Sequence, residues 1–201
     1  MMPDIFRHFV DTLFPTHNAI HLLETQTIET FSIHYLPIQR RDFDAVAEYK
    51  NPYVKAAITA NKFHDYLPAA SLLGGLLNKY LTDQHERSTI CIPIPLSSSR
   101  ARTRGYNQVE RILAHTPTAI VAPILVRTRD TTPQTSLHRT ERLANMQGAF
   151  AVRRGVTPLT NTRILIIDDV VTTGATFRAA REAVLPYCGK NSEIICVACA
   201  H

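Results

Sequence analysis

Two adjacent carboxylates, followed by a threonine-rich stretch that contains a glycine, are the residues best suited to bind a ligand. Asp168 and Asp169 come directly after an apolar run, and Gly174 lets the backbone turn tightly and a ligand approach it closely. A helix that begins after Gly174 directs free N–H groups towards an anion, and threonine hydroxyls add uncharged donors. These residues predict a phosphorylated sugar, with its phosphate at the loop and its hydroxyls at the carboxylates. The predicted binding residues are Asp168, Asp169, Val170, Thr172, Thr173, Gly174, Ala175 and Thr176.

The same acidic pair is suited to hold Mg²⁺, directly or through water, because Mg²⁺ prefers oxygen ligands. Asp168 and Asp169 are therefore also the predicted metal residues. The alternative interpretation is structural: the acidic pair ends a strand, and Thr-Thr-Gly forms a turn with a helix cap. A Walker P-loop and a Rossmann glycine fingerprint are both absent from the sequence. The complete string is more specific than Thr-Thr-Gly alone and favours a phosphate site of another class.

Arginine is concentrated in the middle of the chain. The formal net charge is +5, and residues 97–147 contain eight arginines against three acidic residues. The planar guanidinium group matches phosphate oxygens, so this stretch is predicted to meet a polyanion; a solvated basic face is the alternative. At its start, Ser97 and the serines after it, with Arg100, Arg102 and Arg104, are suited to a diphosphate. An ordinary serine-rich turn is the alternative for this segment.

Strands and helices alternate from residue 89 onwards, which predicts a parallel sheet with helices on its faces. Residues 128–147 lack periodicity and are predicted to be a long loop. In open α/β sheets ligands bind at the carboxyl ends of the strands, so Ser97–Gly105, Arg127–Gln147 and Asp168–Thr176 should converge on one site. The predicted strands are Thr89–Leu96, Ile120–Val126, Gly148–Val152, Arg163–Ile167 and Glu193–Ala200; the predicted helices are Asn107–Ala114 and Ala175–Leu185, with a helical pattern from Ala45 to Leu81.

Composition and the N-terminus exclude several classes of protein. A hydrophobic content of 45% and a charged content of 19% indicate a globular chain. No apolar run reaches the ~18 residues of a membrane helix, and no signal-peptide cleavage site is evident, so a cytoplasmic location is expected. The four cysteines lack the paired spacing of a zinc site and are expected to be buried thiols. His17 and His21 make a poor zinc site by themselves, so solvation or local hydrogen bonding is expected for both.

Three ordered segments resemble known sequence blocks. ILIIDDVVTTGAT, residues 164–176, resembles the phosphoribosyl pyrophosphate (PRPP) signature of type I phosphoribosyltransferases. Ile92–Ala114 and Leu125–Phe150 resemble two further blocks of one branch of that superfamily, the ComF competence family, and Lys62-Phe63 fits its upstream K-F. The likeness runs from about Tyr49 to the C-terminus. The four-cysteine zinc module with which many ComF proteins begin is lacking, so zinc is not expected.

The resemblance implies a parallel-sheet type I phosphoribosyltransferase (Rossmann-like) domain over residues 45–201. Residues 1–44 would form a small, mainly helical N-terminal region. In type I phosphoribosyltransferases the acidic pair contacts the ribose 2′- and 3′-hydroxyls, the loop after it binds the 5-phosphate, and another loop closes over PRPP with Mg²⁺. Arg142 and Asn145 match the family and are expected either to contact the ligand or to anchor that loop. The residues implied for pyrophosphate or a DNA backbone are Ser97, Ser98, Arg100, Arg104, Arg127, Gln134 and Arg139.

Two classes of function follow from the resemblance. The first is a PRPP-binding protein of natural transformation that handles incoming single-stranded DNA with a competence helicase as partner. The second is an active phosphoribosyltransferase, a pentosyl transferase acting on an unidentified acceptor. A regulator that senses PRPP is a third, weaker hypothesis. Because one fold hosts many functions, the sequence leaves open whether the chain is an enzyme.

Overall fold

The computed structural model describes residues 16–83, 89–129 and 146–201, and strands and helices alternate along most of them. Two 3₁₀ turns, Ser32–His34 and Leu185–Tyr187, follow helices. The helices and strands are α1 (Thr16–Leu23), α2 (Ile28–Phe31), β1 (Ile38–Gln39), β2 (Asp44–Ala45), α3 (Pro52–Phe63), α4 (Leu67–Asp83), β3 (Thr89–Pro93), α5 (Ser98–Arg104), α6 (Gln108–Ala114), β4 (Ile120–Val121), β5 (Leu125–Arg127), β6 (Phe150–Val152), β7 (Arg163–Val170), α7 (Ala175–Val184) and β8 (Glu193–Ala200).

Six strands form the main sheet, in the order β1-β2-β8-β7-β3-β4. The neighbours are parallel except for β1 and β2, which are antiparallel. The central strand β7 pairs with β8 from Arg163 opposite Glu193 to Val170 opposite Ala200. Strands β5 and β6 form a separate antiparallel pair. The prediction of an α/β fold with a mostly parallel sheet is confirmed, and the architecture is consistent with a Rossmann-like fold.

Strand β7 is buried on both faces, as its unbroken apolar run predicts. Leu165 and Ile167 pack in one cluster with apolar side chains of α3, α4 and α6. Ile164 and Ile166 pack in a second cluster with apolar side chains of α7. This alternation follows from the two-residue period of a strand. The strand that carries the acidic pair is therefore fixed from both sides.

The prediction of one strand over Ile120–Val126 is wrong. The structure divides this segment into β4, at the edge of the main sheet, and β5, which pairs with β6 instead. Pro123 lies between them and has no N–H to continue a ladder, which accounts for the break. The apolar run hid two short strands that belong to different sheets.

Two other predicted boundaries are corrected. The segment Ser97–Gly105 was expected to be a loop, but α5 occupies Ser98–Arg104. The helical pattern predicted from Ala45 begins only at Pro52, because Asn51 accepts hydrogen bonds from the N–H groups of Tyr53 and Val54 and caps α3.

The cysteines agree with the prediction in the main. Cys91, Cys196 and Cys199 are buried and free, whereas Cys188 is only partly buried. Within the part of the chain that the structure describes, no helix has the length and apolar character needed to cross a membrane. The domain boundary at residues 44 and 45 stays a prediction.

Candidate functional site

The loop between β7 and α7 has the shape expected of an anion site. Gly174 is the N-terminal cap of the ten-residue helix α7 and has a φ of 73°. A Cβ there would meet only the Phe43 ring, at 3.8 Å, so the positive φ and not crowding requires glycine. No side chain of the described residues caps the N-terminus of α7. Its first N–H groups and its dipole are thus directed at the loop.

A small cavity of about 20 Å³ lies in this loop, lined by Asp168 and residues 170–177. This volume slightly exceeds the space that one water needs, so it suits a single oxygen of a phosphate group. The hydroxyl of Thr173 is buried and has no hydrogen-bond partner among the described residues. A buried donor without a partner is unfavourable unless a ligand or water satisfies it. The loop therefore offers a buried donor that a polar ligand or a water molecule can satisfy.

The two carboxylates differ in what they contact. Asp169 is 3% exposed, and its Oδ2 lies 2.9 Å from the Lys62 Nζ. Its Oδ1 accepts the Val170 N–H at 2.9 Å. Burial opposes the charge of Asp169, but the adjacent Lys62 ammonium holds the pKa of this carboxyl below its usual range. Asp169 is thus an ionised and internally paired group.

Asp168 lines the cavity and is only partly buried. Its Oδ1 accepts the Asp169 N–H at 2.9 Å. Burial and then the negative charge of Asp169 raise the pKa of Asp168 well above its ordinary value. A strongly shifted carboxyl at the mouth of a cavity is typical of a functional site.

A second cation lies near the acidic pair. Arg104 donates from Nη1 to the Gln108 Oε1, and its guanidinium carbon lies 5.5 Å from the centre of the Phe63 ring. Burial lowers the pKa of Arg104, and the Asp169 carboxylate opposes that shift. The arginine therefore points inwards, towards the same site as Lys62. Sequence reasoning gave Lys62 no role, and its only signal was the K-F resemblance.

The predicted diphosphate segment has a more structural character than expected. The hydroxyl of Ser97 is buried and caps α5 by accepting the Arg100 N–H at 3.4 Å. Ser98 and the side chains of Arg100 and Arg102 are exposed. The ladder between β3 and β7 continues one residue past the end of β3, since the Ile94 N–H donates to the Ile167 carbonyl at 2.9 Å. The segment thus adjoins the acidic pair.

Arg127 connects the third predicted segment to this edge. Its Nε donates to the Pro95 carbonyl at 3.0 Å, and its guanidinium carbon lies 5.0 Å from the centre of the Phe150 ring. These contacts hold β5 beside the end of β3, so the described parts of all three segments adjoin. The predicted residues Gln134, Arg139, Arg142 and Asn145 lie outside the described residues.

The donors available for a metal are limited. The described residues contain no group of three or more His, Cys, Asp or Glu side chains that could enclose a metal ion. Both oxygens of Asp169 already have protein partners. Mg²⁺ is commonly held by one or two carboxylates together with substrate phosphates. The residues therefore fit a Mg²⁺ that arrives with a phosphorylated ligand at Asp168, and do not fit one enclosed by the protein.

For His21 the expectation was solvation or a local hydrogen bond, and not a zinc site. Its Nδ1 lies 3.1 Å from the Glu24 Oε2, a local contact of the kind that was expected. The side chain of His17 lies outside the described part of the structure.

Fold and site together define the class: a Rossmann-like α/β protein with an acidic pair and an open helix N-terminus at the carboxyl edge of its sheet. No family model matches the chain. It is similar to Competence protein ComFC of Streptococcus pneumoniae, with 34% identity over 113 residues, 56% of this chain and 46% of the relative. It is also similar to Competence protein F of Haemophilus influenzae, with 30% identity over 99 residues, 47% of this chain and 43% of the relative.

These two matches support membership of the ComF family, as the sequence blocks predicted. The matched part spans a little under half the length of each relative.

Proposed function

We propose that this chain acts in a competence-related process and binds the ribose 5-phosphate group of PRPP at Asp168–Thr176. The observation that carries the proposal is the cavity between the acidic pair and the N-terminus of α7. There the buried Thr173 hydroxyl has no hydrogen-bond partner, and the helix has no side-chain cap, among the described residues. A phosphate supplies both the charge and the acceptor oxygens that such a site requires. The names of the two relatives support the biological context.

In this proposal the domain is a type I phosphoribosyltransferase fold, and each part of the loop has one task. The N–H groups and hydroxyls of Thr172–Thr176 bind the 5-phosphate, and the acidic pair faces the ribose hydroxyls. Mg²⁺, carried by the diphosphate and contacted through Asp168, neutralises charge when it is bound. The segment from Ser97 to Arg104 receives the pyrophosphate.

The proposed output is the handling of incoming single-stranded DNA. Arg100 and Arg102 are exposed on α5 and suit a strand backbone. Tyr106 is the one aromatic residue in the sequence of residues 97–147, and Arg111 already covers its ring, with 3.4 Å from the guanidinium carbon to the ring centre. Binding is therefore expected to depend on phosphates more than on base stacking. A helicase partner belongs to the same proposal.

Pentosyl transfer is the second candidate function. The end of β3 lies beside the end of β7, which favours it, because a diphosphate and a ribose would then be held together. In this reaction the bond from ribose C1 to pyrophosphate breaks and a bond from C1 to the acceptor forms. The protein's contribution is to position both groups and to stabilise the developing charge.

Calorimetric titration with Mg-PRPP tests the proposal. The double variant Asp168→Asn/Asp169→Asn is expected to lose binding by at least about tenfold, since hydrogen bonds to charged groups contribute about 1.5–3 kcal/mol each. The matched control is Glu182→Gln, an exposed carboxylate of α7. Equal binding by the double variant and the control would refute the site.

A second titration separates the two functions. The proposal predicts that single-stranded DNA competes with Mg-PRPP, since Arg100 and Arg102 adjoin the diphosphate segment. Release of pyrophosphate in the presence of candidate acceptors would instead establish a transferase.

A further inference from the structure

The two carboxylates of the acidic pair differ in their contacts: Asp169 is paired with protein groups, whereas Asp168 lines the cavity. Asp169 uses Oδ2 for the Lys62 ammonium and Oδ1 for the Val170 N–H, both at 2.9 Å. Of the two carboxylates, only Asp168 is among the described residues that line the cavity. Adjacent residues of one strand point to opposite faces, which explains how neighbours acquire such different surroundings. Asp169 turns towards α3, whereas Asp168 turns towards the loop.

The backbone at Lys62 is held in place by the hydrogen bonds of the neighbouring residue. It lies in the last turn of α3, next to Asn61, which is 1% exposed. The Asn61 side-chain amide donates to the Gln108 carbonyl at 3.2 Å, and the Asn61 backbone carbonyl accepts the Tyr106 hydroxyl at 2.7 Å. These two bonds tie the end of α3 to the segment that begins α6. The backbone that carries Lys62 is therefore packed, and its ammonium contacts the Asp169 carboxylate.

The charges around Asp169 also support different roles for the two carboxylates. Lys62 contacts Asp169 directly, and Arg104 adds a second positive charge in the same field. Asp169 thus faces two positive charges before any ligand binds. A divalent cation is not needed to compensate its negative charge.

We infer that Lys62 is a positioning residue that keeps Asp169 out of ligand contact, so that Asp168 alone receives the ribose hydroxyls and ribose 5-phosphate binds without a divalent cation. The inference rests on the proposed function and divides the task of the two carboxylates unequally. Mg²⁺ is then required only by ligands that carry a diphosphate. Removal of Lys62 releases Asp169 and creates a need for Mg²⁺ that the natural site does not have.

Calorimetric titration with ribose 5-phosphate, in EDTA and in Mg²⁺, tests this division. The wild-type affinity is expected to agree within about twofold between the two conditions, because the site is already neutralised. Asp168→Asn is expected to lower the affinity about tenfold, and Asp169→Asn clearly less, since only Asp168 makes a hydrogen bond to the ligand. Lys62→Met is expected to bind weakly in EDTA and to regain affinity with Mg²⁺.

Three further variants separate positioning from folding. Lys62→Arg retains the charge and is expected to preserve Mg²⁺-independent binding. Lys62→Met/Asp169→Asn removes both partners and is expected to bind ribose 5-phosphate more tightly than Lys62→Met alone, since no uncompensated buried charge remains. Lys55→Met, an exposed lysine of the same helix, is the matched control and should bind as the wild type does. Thermal unfolding of each variant shows whether it is folded.

The outcomes distinguish the inference from the proposed function. A wild-type protein that needs Mg²⁺ for ribose 5-phosphate, or an Asp169→Asn loss as large as that of Asp168→Asn, overturns the inference alone. A Lys62→Met/Asp169→Asn variant that binds no better than Lys62→Met does the same. A folded wild-type protein that binds neither ribose 5-phosphate nor Mg-PRPP overturns the proposed function, and the inference with it.

Discussion

The loop after β7 and the segment after β3 follow neighbouring parallel strands and end at the same edge of the sheet, yet they use their polar groups differently. Among the residues that the structure describes, the β7 loop leaves the Thr173 hydroxyl without a hydrogen-bond partner and the N-terminus of α7 without a side-chain cap. The β3 segment uses its first buried hydroxyl, that of Ser97, to cap α5. The polar groups of the β7 loop are thus available to a ligand, whereas the buried hydroxyl of the β3 segment is used in a hydrogen bond within the protein.

The difference shows that polar composition alone does not identify a binding loop. A buried donor that lacks a protein partner is a stronger indication of a ligand than an exposed row of serines and arginines, because the fold gains nothing from leaving it unpaired. The β3 segment offers exposed positive charge, suited to a backbone of phosphates. The β7 loop offers fixed geometry, suited to one phosphate.

The sharpest test of this contrast uses two glycines, Gly174 and Gly105, which have φ angles of 73° and 81°. Alanine at either position is expected to lower the melting temperature by about 2–4 °C, because a Cβ is disfavoured at positive φ by about 1 kcal/mol. Only Gly174→Ala is expected also to weaken ribose 5-phosphate binding, by about tenfold or more, since Gly174 sets the position of the N–H groups of the first turn of α7 that must meet the phosphate. Thermal unfolding and calorimetry measure both effects. Equal losses of affinity in the two variants would remove the distinction between the segments.

Two hydroxyls provide the next test. Thr173→Val is expected to weaken ribose 5-phosphate binding about fivefold to tenfold with little change in stability, because the deleted donor serves only the ligand. Ser97→Ala is expected to lower the free energy of unfolding by about 1 kcal/mol, since it removes a helix cap, and to leave this affinity unchanged. Denaturant unfolding and calorimetry give the two values. A reversal of this pattern would show that the Thr173 hydroxyl is structural.

The arginines of α5 are expected to affect a different ligand. Arg100→Ala/Arg102→Ala should reduce the slope of log affinity against log salt for single-stranded DNA by about 1.4, from two contacts at about 0.7 each. Ribose 5-phosphate binding should change by less than about twofold, as these side chains are exposed and outside the cavity. Fluorescence anisotropy at several salt concentrations measures the slope. Arg153→Ala/Arg154→Ala removes the same charge from other exposed positions, and an equal effect there would indicate non-specific attraction.

The smallest expected effect concerns the stability of the unliganded site. Because burial and Asp169 raise the pKa of Asp168, this group keeps its proton in the folded state after the unfolded chain has released it. Its ionisation therefore lowers stability as the pH rises above about 4. Asp168→Asn is expected to raise the melting temperature at neutral pH by about 2–4 °C, with a difference from wild type that shrinks towards pH 4. Asp169→Asn should lower the melting temperature, since it leaves Lys62 without its partner.

The main strands could be predicted from the sequence where periodicity and turn residues agree. Strand β8 has the predicted bounds, Glu193–Ala200. Strand β7 runs three residues beyond the predicted end, through Val170, because Asp168 and Val170 continue the ladder with β8. The antiparallel pair of β1 and β2 was not predicted, since two-residue strands carry no usable alternation. Helix α5 had a recognisable signal, a serine cap at its start and a glycine at its end, which the arginine-rich composition obscured.

The loop of the candidate site was predictable, whereas its electrostatic partners were not. Asp168 to Thr176 are contiguous, so their types and spacing indicate phosphate chemistry directly. The pair of Lys62 and Asp169 depends on where the end of α3 packs against the sheet, which no local pattern specifies. The same holds for Arg104, whose inward orientation follows from Gln108 and the Phe63 ring. A contiguous motif can thus be recognised in a sequence, whereas ion pairs between residues far apart in the chain can be identified only in the structure.

Pro123, which separates β4 from β5, also protects the rim of the main sheet. Strand β4 is only two residues long, with Ile120 and Val121 largely exposed, and such apolar rims invite a strand from another molecule to add itself. The missing N–H of Pro123 and the departure of the chain into the β5–β6 pair leave a template too short for that addition. The break at Pro123 therefore disfavours aggregation by strand addition at this edge of the sheet.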